Sequence, residues 1–309
     1  MHDPRLPVIV IAGPTASGKS AFALSVAQKV GGWVINADSM QIYRDLCVLT
    51  ARPSSSDTSR VPHRLYGLLP GSHVCSAAEW VIRAVEDIHA CHAAGCIPVI
   101  TGGTGLYLRA LLCGLSPIPD IPDHVRTAAR ALMDKLGPEA FHQHLTQRDP
   151  PAAARLNTMD TQRNIRALEV FEATGRSLVE WHTIPPVPAL DARFFVVIFD
   201  PPRPWLYERC NERFLQMINH GAIDEVRALS HLGLPAEAPI MKALGVPELI
   251  SYLEGKESLE KAIERTQLTT RRFAKRQVTW FRRQLPCDLR VHDTAYDTAY
   301  KQVISFLKG

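Results

Sequence analysis

Three features of the sequence predict an α/β fold: a parallel sheet flanked by helices, with a mostly helical insertion. The first is Val8–Ala12, a β-branched run that reads as a buried strand and leads into a glycine-rich turn and an apolar helical segment. The second is the alternation of apolar strands and helical stretches from Leu6 to about Cys113, as in βαβ units. The third is a change of character from about Gly114 to Pro188, where helices are separated by proline-rich breaks. Pro117, Pro119 and Pro122 open that stretch, and Pro185, Pro186 and Pro188 close it. The predicted organisation is a first part of the core in residues 1–113, a helical insertion in 114–190, and completion of the core in 191–309, ending in basic helices.

The turn after the first strand is Gly13, Pro14, Thr15, Ala16, Ser17, Gly18, Lys19, Ser20, the full G-x-x-x-x-G-K-S pattern. Its glycines let the backbone wrap an anion, and N–H groups at the helix start point into the concavity. Lys19 adds a positive charge and Ser20 a hydroxyl suited to magnesium. A plain glycine-rich turn is the bland alternative, and the motif in this setting argues against it. The core is therefore P-loop NTPase-like and binds a di- or triphosphate group. Most such loops serve phosphoryl transfer from ATP or GTP, so the rest of the chain must decide the chemistry.

The next predicted strand, Trp33–Asn36, delivers Asp38 to the same rim, because ligands lie beyond the carboxyl ends of strands in an open α/β sheet. Asp38 could hold magnesium, accept a proton or cap a helix. A helix is predicted over about Ser76–Ala94 and a strand over Ile97–Thr101. There follows a second glycine turn, Thr101 to Leu108, in which Thr104 offers a hydroxyl at a helix start near Gly105. Phe194–Phe199 reads as a return to the sheet, and helices carry the chain onward. Asp200, at that strand's end, rivals Asp38 as a metal ligand, but Pro201 and Pro202 suggest that it mainly opens a turn.

Composition limits the possibilities. The chain has 309 residues, 46% of them hydrophobic, enough for roughly two domains. Seven scattered cysteines without a C-x-x-C pair argue for reduced thiols and against a disulfide framework or zinc site. No long apolar stretch suggests a signal peptide or membrane span, so a cytoplasmic protein, free of the membrane and monomeric, is expected. The net charge of +4 hides a local asymmetry. From Arg265 to Arg283 there are seven basic residues and no acidic one. Arg271, Arg272, Lys275, Arg276, Arg282 and Arg283 fall within an arc of roughly 140° on a helix. Phe273, Ala274, Val278, Trp280, Phe281 and Leu285 lie opposite. Such a face suits nucleic-acid phosphates; an acidic membrane or partner surface, or a pyrophosphate clamp, are the alternatives.

Six motifs in order resemble the bacterial tRNA dimethylallyltransferases, also called tRNA isopentenyltransferases, along nearly the whole chain. They are Gly13 to Ser20; Asp38 to Tyr43; Thr50-Ala51-Arg52-Pro53; Gly102 to Arg109; Gln162 to Val170; and Arg271 to Arg282. One departure is Gly245-Val246-Pro247, where the family usually has Gly-Tyr. The resemblance implies that dimethylallyl diphosphate occupies the glycine loop with Mg2+, and that the acceptor is the exocyclic amine of the adenosine 3′ of the anticodon. Breaking the allylic C–O bond builds charge that Lys19, the loop and magnesium would stabilise. Adenine's amine is a poor nucleophile, and Asp38 would take its proton, with Thr104 and Thr15 orienting amine and diphosphate. The same resemblance implies tRNA contacts from Asp38, Ser39, Met40, Gln41, Thr104, Arg126, Gln162, Arg163, Asn164, Ile165 and Arg166. Arg272, Lys275 and Arg276 of the basic helix would grip the anticodon stem. Taken alone, Gln162 to Arg166 reads as an ordinary polar helix start.

Two rivals share the loop. A small-molecule kinase of the P-loop class would form ADP but gives no reason for an acid-free basic helix. A nucleotide-gated RNA-binding protein without transfer chemistry would keep its tRNA affinity after Asp38→Ala and Lys19→Ala, and would modify no adenosine.

Overall fold

A β-branched run beside a helix start sets the centre of the sheet. The computed structural model describes residues 5–292 and 296–308. In chain order its elements are β1 (Pro7–Ala12), α1 (Lys19–Val30), β2 (Gly32–Asn36), α2 (Ser55–Arg60), β3 (His63–Arg64), α3 (Ala77–Ala93), β4 (Ile97–Gly102) and α4 (Gly105–Cys113). The insertion holds α5 (Asp123–Arg148), α6 (Pro150–Ala153), α7 (Thr161–Thr174) and α8 (Leu178–Trp181). Then come β5 (Arg193–Phe199), α9 (Arg203–Asn219), α10 (Ala222–Ser230), α11 (Val246–Leu253), α12 (Leu259–Gln284), β6 (Leu289–Val291) and α13 (Tyr296–Lys308).

The six strands form one parallel sheet in the order β3-β2-β4-β1-β5-β6. Along β1, Val8, Val10 and Ala12 enter one core cluster while Ile9 and Ile11 enter another. Both faces of the strand are buried, which explains why it reads as an unbroken apolar run rather than an alternating one. Pairing of Ala12 with Gly102, and of Asn36 with Thr101, brings the carboxyl ends of β1, β2 and β4 level. β3 and β6 were not expected: at two and three residues they are too short to show a period.

Two compact units divide the chain: Cys113–Pro188 against the expected 114–190, and the segments Met1–Leu112 with Ala189–Gly309. The smaller unit has its own core of Ala129, Met133, Phe141, Leu145, Ala167 and Leu168. Its long helix α5 is interrupted at Gly137, whose φ of 73° precedes Pro138. Proline excludes the helical conformation for the residue before it, so one apolar pattern spans two helical pieces. At the family's Gly-Tyr position, Val246 is fully buried and Pro247 sits in the first turn of α11.

Candidate active site

The glycine loop turns at Gly18, where φ is +90°, directly before α1. Ala16 also adopts a positive φ of 63°, a conformation that costs a non-glycine residue on the order of 1–3 kcal/mol. Strain of this kind concentrates where backbone groups are held for a ligand. Arg209 Nε donates to the Ala16 carbonyl at 3.3 Å. Lys19 is almost fully buried and its ammonium donates to the Pro14 carbonyl at 3.1 Å. Burial pushes the Lys19 pKa down to about 8, Asp38 opposing the fall and Arg213 adding to it. A cavity of about 200 Å³ opens here, lined by the loop with Lys19, Ser20, Arg209, Glu212 and Arg213. Three cationic side chains around one small concavity favour a polyanion.

Asp38 stands close enough to Lys19 and Arg213 to act on both charges. Its backbone N–H donates to Asn36 Oδ1 at 2.8 Å, and Asn36 Nδ2 in turn donates to the Asp38 and Leu65 carbonyls. Asp38 Oδ1 accepts from Met40 N–H at 3.0 Å. Oδ2 accepts no hydrogen bond among the described residues. One oxygen therefore fixes the turn while the other is open to a ligand. Capping and chemistry are not exclusive here.

The second glycine turn lies alongside. A Cβ on Gly102 would sit 2.1 Å from the Ala37 carbonyl, so only glycine lets β4 and the end of β2 approach this closely. Thr104 N–H donates to Ala37 at 3.1 Å. Its hydroxyl accepts from Ser39 N–H at 2.8 Å and donates to Ser39 Oγ at 3.1 Å. Gln41 is tied by its side chain to the carbonyls of Thr50 and Ala51, at 2.8 and 2.9 Å.

α12 joins the two turns through Gln277. Its Oε1 accepts from Thr15 N–H and its Nε2 donates to the Gly103 carbonyl, both at 2.8 Å. The basic face of the helix is only partly free. Arg271 donates to Asn211 Oδ1 at 2.6 Å, Arg265 pairs with Glu257, and Arg282 grips Asp200 at 2.9 and 3.0 Å. Arg272, Lys275, Arg276 and Arg283 are exposed and form no ion pair among the described residues. The expectation that Asp200 mainly opens a turn is corrected. It is buried between Arg282 and Arg290, and the N-cap of α9 is Pro202. A carboxylate already paired with two guanidinium groups has little left for a metal.

Within the smaller unit, Gln162 and Arg163 are exposed, and Arg163 pairs with Asp160. Arg126 donates to the Ile121 carbonyl, and Arg166 pairs with Glu169. Ile165 packs against the unit's core. Asn164 is fully buried, bonded to His142 and to the carbonyls of Asn157 and Asp160. It presents no atom to solvent and holds the start of α7.

Sequence reasoning missed Arg209, Glu212, Arg213 and Gln277. Gln277 left a signal: it is an uncharged polar residue in phase with Ala274, Val278 and Phe281, all buried. Arg209 and Arg213 left only an i, i+4 spacing on an amphipathic helix whose Leu206, Cys210 and Phe214 are buried, which carries no chemistry by itself.

The chain is similar to known proteins along most of its length. Residues 41–284 match the model of a family described as IPP transferase. The chain is 50% identical to the tRNA dimethylallyltransferase of Paramagnetospirillum magneticum over 94% of this chain and 92% of that one. It is 53% identical to the protein of that name from Rhodospirillum centenum, over 90% and 89%. Among solved structures, the full-length tRNA isopentenylpyrophosphate transferase of Bacillus halodurans is 32% identical, with a TM-score of 0.70 and coverage of 99% and 96%. A eukaryotic dimethylallyltransferase acting on tRNA reaches a TM-score of 0.80 at 27% identity, covering 97% of this chain and 77% of that one.

Proposed function

Since the chain belongs to the IPP transferase family, we propose that it transfers a dimethylallyl group from dimethylallyl diphosphate to N6 of the adenosine 3′ of the anticodon in tRNA, giving N6-isopentenyladenosine and diphosphate. The observation that carries this reading is a cationic cradle with the Asp38 carboxylate close enough to act on Lys19 and Arg213, the two glycine turns being bridged by Gln277. In the reaction the allylic C–O bond breaks and its electron pair leaves with diphosphate, while N6 forms the new C–N bond. Lys19, Arg209, Arg213 and the loop N–H groups meet the charge as it develops on the leaving group. Asp38 Oδ2 takes the proton that N6 loses, and Thr104 and Ser39 fix the carboxylate's turn.

A magnesium ion fits the donor set at the cradle. The exposed Ser20 hydroxyl lines the cavity beside Glu212, and this cation usually takes few protein oxygens, completing its shell with phosphate and water. When bound, it would neutralise part of the diphosphate charge. For tRNA, the unpaired cations Arg272, Lys275 and Arg276 suit stem phosphates, and Arg126, Gln162, Arg163 and Arg166 are further contacts in this reading. Asn164 acts through the helix start that it holds. Among the described residues no helix is long and apolar enough to cross a membrane. A cytoplasmic monomer is the form proposed for the enzyme.

The test is incubation of purified protein with dimethylallyl diphosphate, magnesium and unmodified tRNA, followed by nucleoside mass analysis. One added C5 unit on adenosine is expected. Stoichiometric consumption of a nucleoside triphosphate, with the five-carbon donor ignored, would overturn the reading in favour of a kinase.

A further inference from the structure

We propose that Trp280 is a stacking platform for the nucleobase that flanks the target adenosine; this rests on the RNA-modifying reading above. A groove of about 510 Å³ runs along α12, lined by Arg272, Lys275, Arg276, Thr279, Trp280 and Arg283, which corrects the expectation that Trp280 lies opposite the cations: it borders them. The four cations in that lining have no ion pair among the described residues, whereas Arg265 and Arg282 of the same helix are engaged. Trp280 is half-buried, and its indole N–H has no hydrogen-bond partner among the described residues. Trp80 and Trp181, by contrast, donate to Asn36 and Thr174.

The ring is seated deliberately close to the reaction site. A Cβ on Gly105 would lie 2.2 and 2.3 Å from Cε3 and Cζ3, so the six-membered ring rests on the Gly105 backbone, one residue past Thr104. Trp280 also follows Gln277 by about one helical turn. An aromatic ring resting on Gly105 and sharing a groove with four cations that form no ion pair among the described residues has the chemistry of single-stranded RNA recognition: a stacked base flanked by gripped phosphates. An acidic membrane could use both the cations and an indole, but it gives no reason for the ring to rest on Gly105 beside Thr104.

The experiment measures binding of an unmodified anticodon stem–loop to wild type, Trp280→Ala, Trp280→Phe and Gly105→Ala, with inorganic diphosphate binding as control. Trp280→Ala is expected to weaken RNA binding by about 5- to 150-fold, the range for loss of one stacked base. Trp280→Phe should retain most of the affinity, Gly105→Ala should lose part of it by displacing the ring, and diphosphate binding should stay unchanged throughout. An abasic residue beside the target adenosine should weaken binding to wild type but not to Trp280→Ala. Equal abasic losses in both proteins overturn the platform and leave the RNA reading intact. Loss of diphosphate binding in Trp280→Ala along with RNA binding overturns it in favour of a packing role. Should Trp280→Ala not fold, 2-aminopurine beside the target reports on wild type: quenching on binding is expected, and undiminished emission sinks the platform. Failure of wild type to bind the stem–loop at all overturns both readings.

Discussion

The two glycine turns differ in charge and in backbone: Gly13, Ala16 and Gly18 of the first have positive φ, whereas Gly102, Gly103 and Gly105 of the second do not. Each follows a strand of the same parallel sheet, each opens a helix, and Gln277 touches both. The first gathers Lys19, Arg209 and Arg213 around its concavity. The second supplies no charge of its own: it approaches the Asp38 turn through Gly102 and braces that turn with Thr104. A backbone anion nest beside concentrated cations suits a leaving group that becomes more negative. A neutral turn beside one carboxylate suits an amine that must shed a proton. Two strand-to-helix turns of one sheet, built differently, thus suit opposite ends of a single bond exchange.

That contrast can be broken from either side. The largest effect is expected for Asp38→Ala: with one oxygen open to N6, its loss should cut turnover by roughly 10²–10⁴-fold in steady-state assays, while tRNA affinity is largely kept. Equal loss of both would deny it the role of base. Next is Lys19→Ala, which removes a preorganised cation from the developing charge and should lower the single-turnover rate by about 10²–10³-fold. An unchanged rate would place the leaving group elsewhere.

The third outcome is a pH dependence. Lys19 titrates near 8 in the folded protein against an ordinary 10.5. The unliganded fold therefore gains stability as pH rises between those values, because the unfolded chain binds the extra proton. Diphosphate binding needs the ammonium, so it should weaken above about pH 8, at most tenfold per pH unit, in titration calorimetry. Lys19→Ala should abolish that slope. The smallest effect is expected for Gln277→Ala, which strands the part-buried Thr15 N–H and the buried Gly103 carbonyl at a cost of about 1–3 kcal/mol, read as a lower Tm and weaker diphosphate binding. An unaltered protein would show that the bridge between the turns is idle.

Much of this was legible in the chain. β1, β2, β4 and β5 are apolar runs because a parallel sheet buries both faces, and the glycine loop is a contiguous motif. Asp38 and Thr104 could be placed because each follows a strand end. Arg209 and Arg213 could not, since they reach the cradle from a helix nearly two hundred residues away in sequence, and only folding sets that distance. Asp200 was misread for a related reason: its partners Arg282 and Arg290 lie far along the chain, whereas the prolines beside it are adjacent. Asn164 shows the converse error, a motif residue whose polar group is spent entirely inside its own unit.

The Gln277 bridge bears on how the enzyme comes into being. Its amide closes contacts with Thr15 and Gly103 across 262 and 174 residues of sequence. In a growing chain the brace between the two turns is therefore missing until α12 has been made, and the first turn waits for its partner contact long after its own residues are in place.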